Sequence, residues 1–279
     1  MIAATQIPVQ ESFPNAWLGK SGRWIVDRLS RASATPRPLA FFRIGLAFVL
    51  LAQAVALIGH LEELHGSHGI VEWSVVAVDQ SPAVPSLSWV DKVLQVAGLP
   101  TTWAVPLAFA VYFAGLIGLL LGWRTRLAAL MVWFVHTALL TSGDLSMYGA
   151  DRFAQIGLFY CVWFPVGHAL SLDQSAGRAP GTPSFEAWLG LRILQLHVCI
   201  IYTASGIEKA LGEQWWNGEA IWRALTGMHR GPIDFSVLAT APWLAQGLCW
   251  ATLVLEAGVI GMVWHPKLRK VWLVSIVGI

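Results

Sequence analysis

The sequence predicts an all-α fold: a polytopic transmembrane helical bundle of six complete spans, with the opening of a seventh. Three observations lead there. Charged residues make up only 12% of the chain against 56% hydrophobic ones, whereas soluble domains carry about 25% charged residues. Sixteen tryptophans are present, a residue that collects at the membrane–water boundary. Apolar stretches close to the roughly 20 residues needed to cross a hydrocarbon core alternate with polar loops containing Gly and Pro. The net charge of +2 says nothing about nucleic acid, and no basic stripe interleaved with aromatics is present to bind it, so no nucleic-acid partner is expected. The expected surroundings are membrane lipid, and the expected location is the cell membrane.

Taken in order, residues 1–37 form an amino-terminal segment on the cytoplasmic side. Residues 1–15 lack the basic start and short apolar core of a cleavable signal peptide. Residues 16–31 mix Trp17, Leu18, Trp24, Ile25 and Leu29 with Lys20, Arg23, Arg28 and Arg31, a pattern suited to a helix lying on the bilayer surface. Residues 38–279 form the transmembrane domain. Span one covers 38–59 and opens with Arg43. A long polar loop, 60–102, follows. Span two is 103–121, and span three is 127–140 with His136 inside. A short loop leads to span four, 153–170, which contains Pro165 and His168. Residues 171–183 form a polar linker rich in Gly, Pro and Ser. Span five falls within 185–225, and the polar loop 208–235 contains a further helix at 218–225. Span six, 237–264, contains Glu256 and ends in the basic turn His265-Pro266-Lys267-Leu268-Arg269-Lys270. The apolar close, 271–279, reads as the start of a seventh span or as a tail re-entering the bilayer, and suggests a longer chain.

Charge asymmetry sets the expected orientation. The amino-terminal segment and the turns after spans two, four and six carry eleven Lys or Arg, and the opposite loops carry five together with eleven of the sixteen acids. The positive-inside rule then places the amino terminus in the cytoplasm and Lys209 near the outer face. Cys161, Cys199 and Cys249 each lie in an apolar span and form no Cys-x-x-Cys. They read as small buried residues, neither disulfides nor ligands. His60, His65 and His68 with Glu62 and Glu63 lack the spacing of a metal site, so a solvated outer loop and no metal are expected.

The polar residues of span five carry the strongest functional signal. Arg192, Gln195, Cys199, Tyr202, Ser205 and Lys209 recur at steps of three or four, which aligns them on one helix stripe. Lipid rejects such a stripe, so it should face other helices or a cavity. Two readings of Lys209 stand: a partly desolvated lysine serving as a base, or a lysine anchoring the outer end of the span. Arg43, Arg192 and Glu256 are expected to form a structural arginine–glutamate pair that locks the bundle. His136 and His197 could hydrogen-bond a ligand oxygen or simply a neighbouring helix. Asp151, at the outer entrance to span four, is at the depth of Lys209 and Glu208.

The segment Tyr202-x-x-Ser205-Gly206-Ile207-Glu208-Lys209, followed by Trp215 or Trp216 and Gly218, resembles the corresponding part of the vitamin K-dependent gamma-carboxylase. It is more similar still to the bacterial HTTM (horizontally transferred transmembrane) family. Arg43-Ile44-Gly45-Leu46, Tyr148-Gly149-x-Asp151, Phe164-Pro165-x-Gly167, Ser171-Leu172-Asp173 and Arg192-x-x-Gln195-x-His197 support the match in the same order along the chain. The resemblance implies a vitamin K hydroquinone-like reduced quinone as cofactor and Lys209 as the base that deprotonates it. Oxygen would then generate a stronger base for glutamate carboxylation in a peptide or protein substrate. It further implies an outward-facing pocket with Tyr202, Ser205, His197, His136 and Trp215 as ligand contacts. Here Glu208 replaces the first of the carboxylase's two lysines, and an adjacent anion favours the protonated form of Lys209. Two other classes stand beside this one: a non-enzymatic membrane partner in peptide maturation or export, and a DoxX-like quinone-linked oxidoreductase. The absent Cys-x-x-Cys and haem-ligand pairing count against the latter.

Overall fold

The computed structural model describes residues 33–79, 81, 83–143, 148–226, 235 and 237–278. The surface helix expected at 16–31 lies outside them. Every element of regular structure among the described residues is helical, apart from one isolated bridge between Ala34 and Ser184. The chain divides into two compact units, 1–191 and 192–279.

The first unit is built on long apolar helices. α1, Arg37–Leu57, starts at a proline-bounded turn. Proline at the first helical turn costs no hydrogen bond because that N–H would be unpaired anyway. The chain continues through a 3-10 turn into α2, Leu61–His65. The expected loop is built from short helices, α2 followed by α3, Trp73–Asp79, and α4, Leu87–Val96. A 3-10 turn then leads into α5, Ala104–Leu121, and α6, Thr125–Ser142, follows after a tight turn. α7 is Gly149–Trp163 and α8 is Leu172–Ser175. α5 packs on α1 and α6, and α6 on α7. Leu39, Leu50, Leu116, Leu119, Val132 and Leu158 are almost fully buried between them.

Gly122 makes the α5–α6 turn. Its φ is +68°, the left-handed conformation that ends helices, and it closes back on Gly118 and Leu119. A Cβ there would collide with the guanidinium of Arg43, so only glycine lets this turn pass over that side chain.

The fourth span departs from expectation. α7 has 15 residues, about 22 Å at 1.5 Å each, short of a hydrocarbon core of about 30 Å. The cause is Pro165. The residue before it, Phe164, is extended, as steric conflict with the proline ring requires. Residues 164–171 therefore form turns. Five helical stretches have the length and apolarity to cross a membrane: Arg37–His65, Thr101–Leu121, Thr125–Ser142, Phe185–Ala210 and Pro242–Met262.

α9, Phe185–Ala210, runs from the first unit into the second. The second unit adds α10, Glu213–Trp216, α11, Glu219–Thr226, α12, Val237–Thr240, α13, Pro242–Met262, and α14, Arg269–Val277. α11 occupies the position where a helix is expected in the outer loop. α14 packs along α13, and Trp272 Nε1 donates to Leu255 O at 3.0 Å. Gly206 lets α9 approach α13: a Cβ there would strike the backbone N of Ala257 and lie 2.9 Å from the carbonyl carbon of Glu256.

Candidate functional site

In the first unit, α1, α5 and α6 enclose a cavity of about 250 Å³. Its wall is largely apolar, with Leu50, Ala54, Phe109 and Leu139 among the lining residues. Three helix-borne polar groups reach it: Gln53 from α1, Tyr112 from α5 and His136 from α6. His65 from the end of α2 and Asp151 from the start of α7 complete the polar set. Gln53 follows Leu50 by three residues, so one face of α1 brings both to the cavity.

The polar groups form a directed chain. His136 Nε2 lies 3.2 Å from Asp151 O, and its Nδ1 lies 2.9 Å from Tyr112 Oη. A carbonyl only accepts, so Nε2 carries the proton and Nδ1 accepts from the Tyr112 hydroxyl. The neutral tautomer of His136 is thereby set. The carboxylate of Asp151 accepts from Gln53 Nε2 at 2.8 Å and from Tyr148 N at 2.9 Å. The second contact belongs to the capping box that starts α7.

His65 is different. Its ring hydrogen-bonds the Leu139 carbonyl, while Nδ1 is buried and has no partner among the described residues. The bond to a carbonyl places the proton on the other nitrogen, so Nδ1 is a bare acceptor. His60 and His68 are exposed and paired with Glu63 and Glu72, as a solvated loop requires. His65 is the correction to that expectation, because the α2 turn and Trp73, whose Nε1 donates to His65 O, fold it inward.

In the second unit the organising contact is an ion pair. Lys209 Nζ lies 2.5 Å and 2.6 Å from the two carboxylate oxygens of Glu256. The Glu256 side chain is 8% exposed and that of Lys209 28%. The Trp215 ring lies on another side of the ammonium, 5.1 Å away by its centroid, within the range for cation–π attraction. Lys209 Nζ is thus held between the Glu256 carboxylate and the Trp215 ring.

The expected arginine partner of Glu256 is replaced by Lys209. The approach of α9 and α13 at Gly206 brings Lys209, one turn later, to Glu256. Arg192 donates instead to Gln195 Oε1 at 3.0 Å and lies over Trp264. Arg43 is fully buried and donates from Nη2 to Leu170 O at 2.6 Å. Tyr202, Ser205, His197 and Trp215 are each half-buried. Of these, the structure brings Trp215 to Lys209. His136 belongs to the first unit, with Tyr112 and Asp151. The Asp151 carboxylate is engaged by Gln53 and Tyr148 rather than by a lysine. Cys161, Cys199 and Cys249 are free and buried. Among the described residues no group of three or more His, Cys, Asp or Glu is arranged to hold a metal.

A structural knot closes the other end of the first unit. The Asp173 carboxylate accepts from Arg124 N, Thr125 N and Thr125 Oγ1 at 2.7–3.0 Å, and from Arg178 Nε at 2.9 Å. Burial raises its carboxyl pKa, but the Thr125, Arg178 and Arg124 donors outweigh burial and hold it at about 2.

His65, Tyr112 and Gln53 carry no sequence motif; their signal was an isolated polar residue in, or just after, an apolar stretch. No curated protein and no solved structure gives a significant match to this chain. The family model described as the HTTM domain matches residues 33–278. With several apolar helices long enough to cross a bilayer, the chain is an integral membrane protein and belongs to the HTTM domain family.

Proposed function

We propose that this HTTM protein receives an amphipathic, hydroxyl-bearing ligand of the reduced-quinone class in the cavity of its first unit. The observation that carries the reading is the bare Nδ1 of His65. A buried acceptor without a donor costs about 1–3 kcal/mol, and a ligand O–H would recover that cost. An oxidised quinone offers no such donor. The cavity suits the ring end of the ligand: about 250 Å³ is slightly below the roughly 300–1,000 Å³ usual for whole drug-sized ligands. The hydroquinone supplies acidic hydroxyls on an oxidisable ring. His65 would accept one hydroxyl, and the Tyr112–His136 chain would orient the ring face beside it. The HTTM relationship accords with this reading.

A second reading rests on the Lys209–Glu256 pair. A charge pair this deep is an acid–base couple: Glu256 Oε can take the ammonium proton of Lys209, which frees Lys209 Nζ to accept a proton from the hydroquinone. In this reading Lys209 is the catalytic residue and the chemistry is carboxylase-like. The test is binding of a soluble hydroquinone to purified protein in detergent, in wild type, His65→Phe and Lys209→Ala. The cavity reading predicts saturable binding that weakens about tenfold in His65→Phe and persists in Lys209→Ala; one hydrogen bond to a buried acceptor has about that effect. Loss in Lys209→Ala alone would move the ligand to the ion pair. No binding to any of the three would leave the peptide-maturation partner as the remaining reading.

A further inference from the structure

The basic cleft at the other end of the first unit has no part in that function. It has a volume of about 390 Å³ and lies between the start of α6 and the turns after α7. Arg124, Arg126 and Arg178 line it together with His168, Asp173 and Phe164. Arg178 is paired with Asp173, and Glu186 acts electrostatically on His168, so Arg124 and Arg126 are the cleft's cations without an ion pair among the described residues. Asp173 holds the backbone N of Arg124 and of Thr125, the Thr125 hydroxyl, and Arg178. It shapes the turn and neutralises Arg178, which leaves Arg124 and Arg126 with no carboxylate in salt-bridge range among the described residues.

Arg124 and Arg126 flank the buried Thr125 and are themselves exposed. No hydrogen bond or ion pair among the described residues engages either guanidinium. His168 Nδ1 is buried in the same cleft and has no partner among the described residues. The surroundings are interfacial. α5 ends and α6 begins at this turn, and Trp123 and Leu127 beside it are each 56% exposed. Tryptophan at a helix end marks head-group depth.

We infer that this cleft is a binding site for a phosphate group, carried on an anionic lipid whose acyl chains run down past Trp123 and Leu127. Guanidinium forks match phosphate oxygens in charge and geometry, and basic pockets between transmembrane helices hold phosphate head groups. Free inorganic phosphate shares this chemistry and lacks only the acyl contact, so the experiment must separate the two.

The full-length protein, delipidated in detergent, is titrated with phosphatidylglycerol, with phosphatidylcholine and with millimolar inorganic phosphate, and binding is read by native mass spectrometry and by thermal shift. Wild type should prefer phosphatidylglycerol over phosphatidylcholine by about thirtyfold, the order of effect of two head-group arginines. Arg124→Gln/Arg126→Gln should lose that preference while melting unchanged without lipid, because both side chains are exposed. If inorganic phosphate alone shifts melting in wild type and not in the double variant, the site takes free phosphate. If only phosphatidylglycerol does so, the source is lipid. Should the double variant fail to fold, Arg126→Gln alone is read the same way, with about a fivefold loss. No phosphatidylglycerol preference or phosphate shift in wild type, or either one retained in the variants, overturns the proposal.

Discussion

The two units bury polarity in opposite ways. The first lines an open cavity with single polar groups: Tyr112 bonds His136, His136 and Gln53 each bond Asp151, and His65 is left with a bare acceptor. The second buries a full charge pair and closes it, with both oxygens of Glu256 on Lys209 and Trp215 against the ammonium. The difference follows from cost. An unmet neutral acceptor costs about 1–3 kcal/mol, which a fold can bear while a ligand is awaited. An unmet buried carboxylate costs more, and Glu256 is paired with Lys209. Under the proposed function the cavity serves exchange and the ion pair retention.

The largest expected effect breaks the retained pair. Glu256→Gln should destabilise the protein by about 3 kcal/mol, because it leaves the Lys209 ammonium without its counter-charge. Lys209→Met/Glu256→Leu should recover most of that loss, since replacing both charges removes the need for either. Thermal unfolding in detergent measures both. Normal stability in Glu256→Gln with lost activity would make the pair a proton relay and erase the contrast between the units. Next in size is Gly206→Val, which forces α9 off Ala257 and should cost about 2 kcal/mol, read in the same assay.

A smaller effect separates stability from binding. His65→Phe should lose about tenfold in hydroquinone affinity while unfolding at the same temperature as wild type or slightly above it. Removing an unpartnered acceptor is neutral or stabilising. Lower stability with unchanged affinity would show that His65 belongs to the scaffold. A separate effect concerns acid. Asp173 has its carboxyl held at about 2 against about 3.9 when unfolded. A depressed carboxyl stabilises the fold above the unfolded value, and that stability is lost as the pH falls from about 4 through 2. Asp173→Asn should cost about 2–3 kcal/mol at neutral pH, and its melting curve should converge on that of wild type near pH 2.

Much of the architecture is legible in the apolar runs, because a helix in lipid needs length and few charges and little else. Residues 38–59, 103–121 and 127–140 become helices within a few residues of their expected ends. The fourth span is misjudged because hydropathy continues through Phe164, Pro165 and Val166 while the backbone does not; the proline outweighs the apolarity. On α9, the Lys209–Trp215 neighbourhood is visible from local spacing. The partner of Lys209 is not. Depth counted from span ends sets Glu256 beside the arginines, whereas the close approach at Gly206 fixes the register of α9 and α13. Arg192 is the residue this displaces, and it turns to Gln195 and Trp264. The cavity is the least legible part. His65 lies outside the apolar run in a segment that reads as loop, and Tyr112 and Gln53 each stand alone on their helices. No spacing within one helix reports which neighbours will face them.

The most direct test of the contrast is photocrosslinking. A photoreactive hydroquinone analogue is bound to the purified protein, irradiated, and the labelled peptides are sequenced. Labelling concentrated on Leu50, Ala54, Phe109, Tyr112 and Leu139, and competed away by unmodified hydroquinone, is the predicted result. Competed labelling on Trp215 and the α13 segment around Glu256, with the α1, α5 and α6 peptides clean, would contradict the account and place the ligand at the ion pair.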